Sequence, residues 1–114
     1  MHNEIQKTTK IIDEFMALFI KKGCNEIDMK LKKEIETTKI FLVVHDTNLS
    51  NNEINNLNEL LNIQRQYEVE EYYWELMGET SNEDELFLIG SMIDKAVIEK
   101  KKNNLYIEIT RKIK

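Results

Sequence analysis

Residues 26–44 read Glu26-Ile27-Asp28-Met29-Lys30-Leu31-Lys32-Lys33-Glu34-Ile35-Glu36-Thr37-Thr38-Lys39-Ile40-Phe41-Leu42-Val43-Val44, and the two ends of this stretch follow different patterns. Ile27, Met29, Leu31 and Ile35 alternate with Glu26, Asp28, Lys30, Lys32 and Glu34, the period of two that marks a half-buried strand with one wet face. Ile40 to Val44 is apolar on both faces, as a central strand is. With Glu36-Thr37-Thr38 as the connection, the two are expected to pair as an antiparallel hairpin. On that reading Met29 and Leu31 enter the core, and the outer face of the sheet is solvated.

The pattern on either side is helical. In residues 4–22, Ile5, Ile12, Phe15, Met16 and Phe19 form one stripe, widened by Ile11 and Ile20, while Lys7, Lys10, Asp13 and Lys21 fall elsewhere. Gly23 is a natural stop because glycine accepts positive φ. After His45-Asp46, Ser50 and Glu53 form a capping box that opens a second helix, with Ile54, Leu57, Leu60 and Leu61 on its apolar side. The stretch Tyr67 to Met77 is rich in aromatics; it fits one helix continuing to Gly78 or a break near residue 65. Ser81 and Asp84 can cap a further helix, whose core face is Leu86, Phe87, Ile89, Met92 and Ile93. Residues 96–101 and 105–113 then read as two strands about an Asn103-Asn104 turn. The whole predicts an α+β two-layer sandwich, with helices on one face of an antiparallel or mixed four-stranded sheet.

Composition narrows the function. A length of 114 residues fits one α+β domain, residues 1–114. Sixteen Lys and Arg against 21 Asp and Glu give a net charge of -5, which argues against a general nucleic-acid binder. No apolar run reaches the roughly 20 residues of a membrane span, and the polar start Met1-His2-Asn3-Glu4 lacks a signal-peptide pattern. A single cysteine, Cys24, forms no internal disulfide, so the expected compartment is the cytoplasm. Lysine outnumbers arginine 14 to 2, which reads as a coding bias without functional weight.

Few residues suggest chemistry. The three glycines, at 23, 78 and 90, are too far apart for a phosphate-binding loop. His2, Cys24 and His45 have no zinc-site spacing. A Cys24/His45 nucleophile pair is possible in principle, but a lone cysteine after a helix stop is usually inert. His45-Asp46, at the end of the apolar strand, is a local candidate for a cleft residue pair, against a plain turn made by Asp46. Tyr72-Tyr73-Trp74 is either a recognition patch or helix packing on the sheet.

The order helix, strand pair, two helices, strand pair resembles the ATP-binding domain of the histidine-kinase-like ATPases, which include the anti-sigma-factor serine kinases. Glu14 to Gly23 is similar to that family's first-helix motif, Val43 to Ser50 to its strand ending in Asp-x-Gly-x-Gly, and Glu83 to Ile89 to its second glycine motif and last helix. The resemblance implies a general base at Glu14 and an adenine contact at Asp46. It also places Leu18 on the family's magnesium-binding Asn, Asn48 and Ser50 on its first glycine pair, and Glu83 and Glu85 on its second. Leucine cannot coordinate magnesium, and two carboxylates repel phosphates. The leading expectation is therefore a degenerate, non-catalytic domain that binds a protein partner or itself, without cofactor. The competing expectations are an active ATP- and magnesium-dependent kinase or ATPase, and an unrelated self-associating α+β domain. Under the leading expectation, Tyr72, Tyr73 and Trp74 form the interface.

Overall fold

The computed structural model describes residues 3–76 and 82–113, with backbone alone for residues 82–84. The elements run α1 (Glu4–Lys21), β1 (Ile27–Lys33), β2 (Thr37–Val44), α2 (Asn51–Leu61), α3 (Tyr67–Tyr73) with a 3-10 turn at Trp74–Leu76, α4 (Asn82–Ser91), β3 (Lys95–Lys101) and β4 (Asn104–Lys112). The strands form one sheet in the order β1-β2-β4-β3, every neighbour antiparallel. Helices cover one face, which is the expected α+β sandwich. Gly78 and the Ser81/Asp84 cap lie outside the described residues.

Local chemistry sets the element ends. Gly23 takes φ 87°, and its N–H donates to the Ile20 carbonyl, closing α1. The Ser50 hydroxyl accepts from Glu53 N at 3.2 Å while Ser50 N donates to the Glu53 carboxylate at 3.1 Å, a complete capping box. Helix α2 stops after Leu61, so the chain breaks near residue 65 instead of continuing to Met77. Asn62 fixes the break: its Oδ1 accepts from Ala96 N at 3.0 Å, tying the helix end to β3. In the last hairpin it is Lys102, not an asparagine, that takes the left-handed conformation, with φ 56°. The two-residue turn is Lys102-Asn103, because Lys101 pairs with Asn104.

The core gathers Ile40, Leu42 and Val44 from β2 and Leu105, Ile107 and Ile109 from β4. Against them pack Ile11, Phe15 and Phe19 of α1, Leu57 and Leu61 of α2, and Leu86 and Ile89 of α4. Several expectations need correction: Ile5 and Ile20 of the α1 stripe and Phe87 of the α4 core face are exposed rather than buried. Lys7 is not on the wet side of α1; it is buried, because the inward stripe runs through Lys7, Ile11, Phe15 and Leu18. Met29 and Leu31 do alternate toward the helix side, but they are 40% and 42% exposed. Their strand is a sheet edge, and the helices lie over the middle of the sheet and over β3. Lys30, Lys32 and Lys33 protect that edge from pairing with other chains.

Helices α2 and α4 approach closely at Gly90, where a β-carbon would overlap the Leu60 carbonyl oxygen. Gly90→Ala is therefore expected to destabilise by about 1 to 3 kcal/mol through overpacking. Leu42→Ala, fully buried, should cost about 2 to 5 kcal/mol, and Leu31→Ala at the open edge about 1 kcal/mol. Urea unfolding of the three variants checks this ranking.

Candidate functional site

Three places in the fold carry chemistry-bearing side chains. The first joins α1 and α4, where Glu14, Ala17, Leu18, Lys21, Glu85 and Leu86 line a cavity of about 10 Å³. That volume admits one water at most. Burial raises the Glu14 carboxyl above its ordinary value, and a hydrogen bond with Glu85 adds to the effect. Thus Glu14 and Leu18, one turn apart on α1, share one site with the sequence-distant Glu85. Asp46 does not join them. It is exposed in a left-handed turn with φ 49°, and its N–H donates to the Asn104 side chain at 3.2 Å. Beside it, His45 Nε2 lies 2.8 Å from the Asp28 carboxylate; that hydrogen bond raises the His45 pKa. Cys24 is buried in the core cluster. Among the described residues, no group of three His, Cys, Asp or Glu is placed to hold a metal ion.

The second place is a buried ion cluster. Lys7, Glu70 and Arg111 are 1%, 2% and 1% exposed. Helix α3 inserts Glu70 between α1 and β4, where it accepts from Lys7 Nζ at 2.9 Å, Arg65 Nε at 3.1 Å, and Arg111 Nη1 and Nη2 at 3.0 and 2.9 Å. Arg111 also grips Glu4 with two bonds of 2.9 Å. Arg65 reaches Asp94 at 2.8 Å and the Lys112 carbonyl at 2.7 Å, and Lys7 reaches Glu71 at 2.8 Å. Burial alone pushes Glu70 up, but Arg111, Lys7 and Arg65 outweigh it and hold the carboxyl at about 2. Each partner raises the Arg111 pKa in turn against the cost of burial. Glu70 stays ionised at neutral pH and its oxygens are occupied by donors, so this geometry fastens elements together and offers no free base.

Helix α3 buries Glu70 and turns its aromatics outward. Tyr72 is 79% exposed, Tyr67 and Tyr73 are about half exposed, and Trp74 packs partly against the core. Of the two readings of Tyr72-Tyr73-Trp74, packing of the helix on the sheet fails for Tyr72 and Tyr73, because an ion-paired carboxylate takes the inward position. Tyr67 is covered on one side by the Arg65 guanidinium, 4.5 Å from the ring centre.

The third place is the sheet face away from the helices. It is not uniformly wet. Phe41 and Val43 of β2, Tyr106 of β4 and Val97 of β3 stand together there, each half-buried or exposed. The register arranges this face in rows: Asp28-Val43-Tyr106-Glu99, then Lys30-Phe41-Glu108-Val97, then Lys32-Lys39-Thr110-Lys95. Two adjoining depressions, of about 190 and 330 Å³, share Phe41 and Val43. A solvated face is what β1 alone predicts, since its outer residues are Asp28, Lys30 and Lys32. The period-two positions of β2, β3 and β4 carried the missing signal.

Comparison with protein-family models gives no match for this chain, and comparison with curated proteins gives none either.

Removing the central anion of the cluster tests its role. Glu70→Gln leaves three cations around a neutral amide and should destabilise by about 3 to 5 kcal/mol. The folded pKa lies below the unfolded value of 4.5, so the contribution is complete above that value and is lost as pH falls toward 2. Chemical unfolding followed from neutral pH into acid should show a shallower decline for Glu70→Gln than for the natural chain.

Proposed function

We propose that this chain is a non-catalytic protein-binding domain that engages its partner through the open face of the sheet. The observation that carries the reading is the patch of Phe41, Val43, Tyr106 and Val97 on that face, half-buried to exposed, with Glu108 set between Phe41 and Val97 and charged residues of the outer rows and edge strands around it. An apolar centre with a charged rim is the anatomy of a protein interface. Aromatic groups supply contact area at small entropic cost.

A nucleotide-dependent activity receives less support. Leu18 and Glu85 bracket a cavity of about 10 Å³ beside Glu14, too small for a triphosphate. Asp46 stands apart in an exposed turn. The likeness to histidine-kinase-like ATPases remains a proposal about ancestry of the fold. The cytoplasm is the compartment assumed, with Cys24 as a buried free thiol.

Tyr72, Tyr73 and Trp74 offer a competing surface. Glutamates 68, 71 and 75 interleave with its aromatics, three carboxylates against the single Glu108 within the sheet patch. Photo-crosslinking separates the two surfaces. With p-benzoylphenylalanine in place of Tyr106, a discrete protein adduct is expected in cells, lost when Val97→Glu is added. The same group in place of Tyr72 should give none. Adducts from position 72 alone, adducts from neither position, or saturable ATP binding by the purified chain would each overturn the reading.

A further inference from the structure

The charge pattern of the open face identifies an occupant. Of the three acidic residues in these rows, Asp28 and Glu99 share one row, on the two edge strands β1 and β3, and Glu108 lies in the middle row. The lysines 32, 39 and 95 lie two rows away along the strands. Between them runs Lys30-Phe41-Glu108-Val97. We infer that the face is completed by a second copy of this chain, the two sheets packing face to face about a two-fold axis that runs across the strands along this middle row. The inference rests on the protein-binding reading above and deepens it.

Such an axis keeps each strand over its counterpart and inverts the order of rows. Phe41 then meets Phe41 of the second copy, and Val97 meets Val97. Asp28 comes opposite Lys32 of the second copy, and Glu99 opposite its Lys95. Symmetry doubles each pair. Aligned sheets pack about 10 Å apart and cross at about 30°, which displaces the corner residues by only a few ångströms, within the reach of lysine. Val43 is covered by the aliphatic stem of Lys39. The axis also brings Glu108 and Lys30 each toward its own counterpart; Lys39, 3.5 Å from Glu108 in the same chain, offsets the carboxylates. Lys30 Nζ lies 5.9 Å from the Phe41 ring centre at the edge strand, where its head reaches water. The alternative axis, along the strands, sets the lysine row on the lysine row and Asp28 on Glu99. Charge therefore selects one of the two arrangements.

Light scattering and sedimentation of the purified chain test this directly. The natural chain should approach twice 13.6 kDa as concentration rises. Glu99→Lys alone and Lys95→Glu alone should each weaken association about tenfold, since two contacts per dimer turn repulsive. The double variant Glu99→Lys with Lys95→Glu should restore it, because each new lysine then faces a new glutamate across the axis. All four side chains of the β1 and β3 pairs are exposed, and circular dichroism with urea midpoints confirms that the variants fold. A strict monomer at every concentration overturns the second copy, as does a double variant no better than the weaker single. If that monomer still gives an adduct of other mass from position 106, the protein-binding reading stands without the dimer. If position 106 gives no protein adduct at all, both fail.

Discussion

The Glu70 carboxylate can sit where it does only because three cations reach it at once. An isolated carboxylate in a protein interior is strongly disfavoured, and a single partner rarely repays the desolvation of both ions. Here Lys7 arrives from α1, Arg65 from the link between α2 and α3, and Arg111 from β4. Glu4 and Asp94 then occupy the remaining arginine hydrogens. The cluster fixes the position of α3, and with it the outward orientation of Tyr72 and Tyr73.

The division between what could be read in the residues and what could not follows from the range of the forces. Capping at Ser50, the stop at Gly23 and the apolar run of β2 are local, and each appears in the structure at its expected place. The register of the sheet and the burial of Lys7 are not local. Lys7 reads as polar on a helix wheel, and only its partner 63 residues away turns it inward. One clue was present: the chain uses arginine twice, at 65 and 111, and both lie in the cluster. In a sequence so biased toward lysine, arginine persists where a planar, forked donor must grip two oxygens together.

The candidate sites divide the same way. Glu14 and Glu85 share a small cavity that no spacing rule would join, whereas Asp46 and Glu14 belong to separate regions of the surface. The apolar band on the outer sheet face was hidden by its dispersal over three strands. Phe41 and Val43 look like core in a run of five apolar residues. Val97 and Tyr106 look like isolated surface residues. Only the pairing register makes them neighbours.

The central ladder joins β2 to β4, segments that begin at Thr37 and Asn104. Such long-range pairing carries a loop-closure cost before it returns any stabilisation. During synthesis, β2 emerges with only the edge strand β1 beside it, and its inner residues Ile40, Leu42 and Val44 must wait for β4. The clasp between Glu4 and Arg111, 107 residues apart, closes at the same late moment. Sheet, core and ion cluster therefore cannot be complete until β4 is available to pair. A ribosome carrying this chain with β4 still inside the exit tunnel holds a segment whose inner strand β2 lacks its partner and whose common core is not yet assembled.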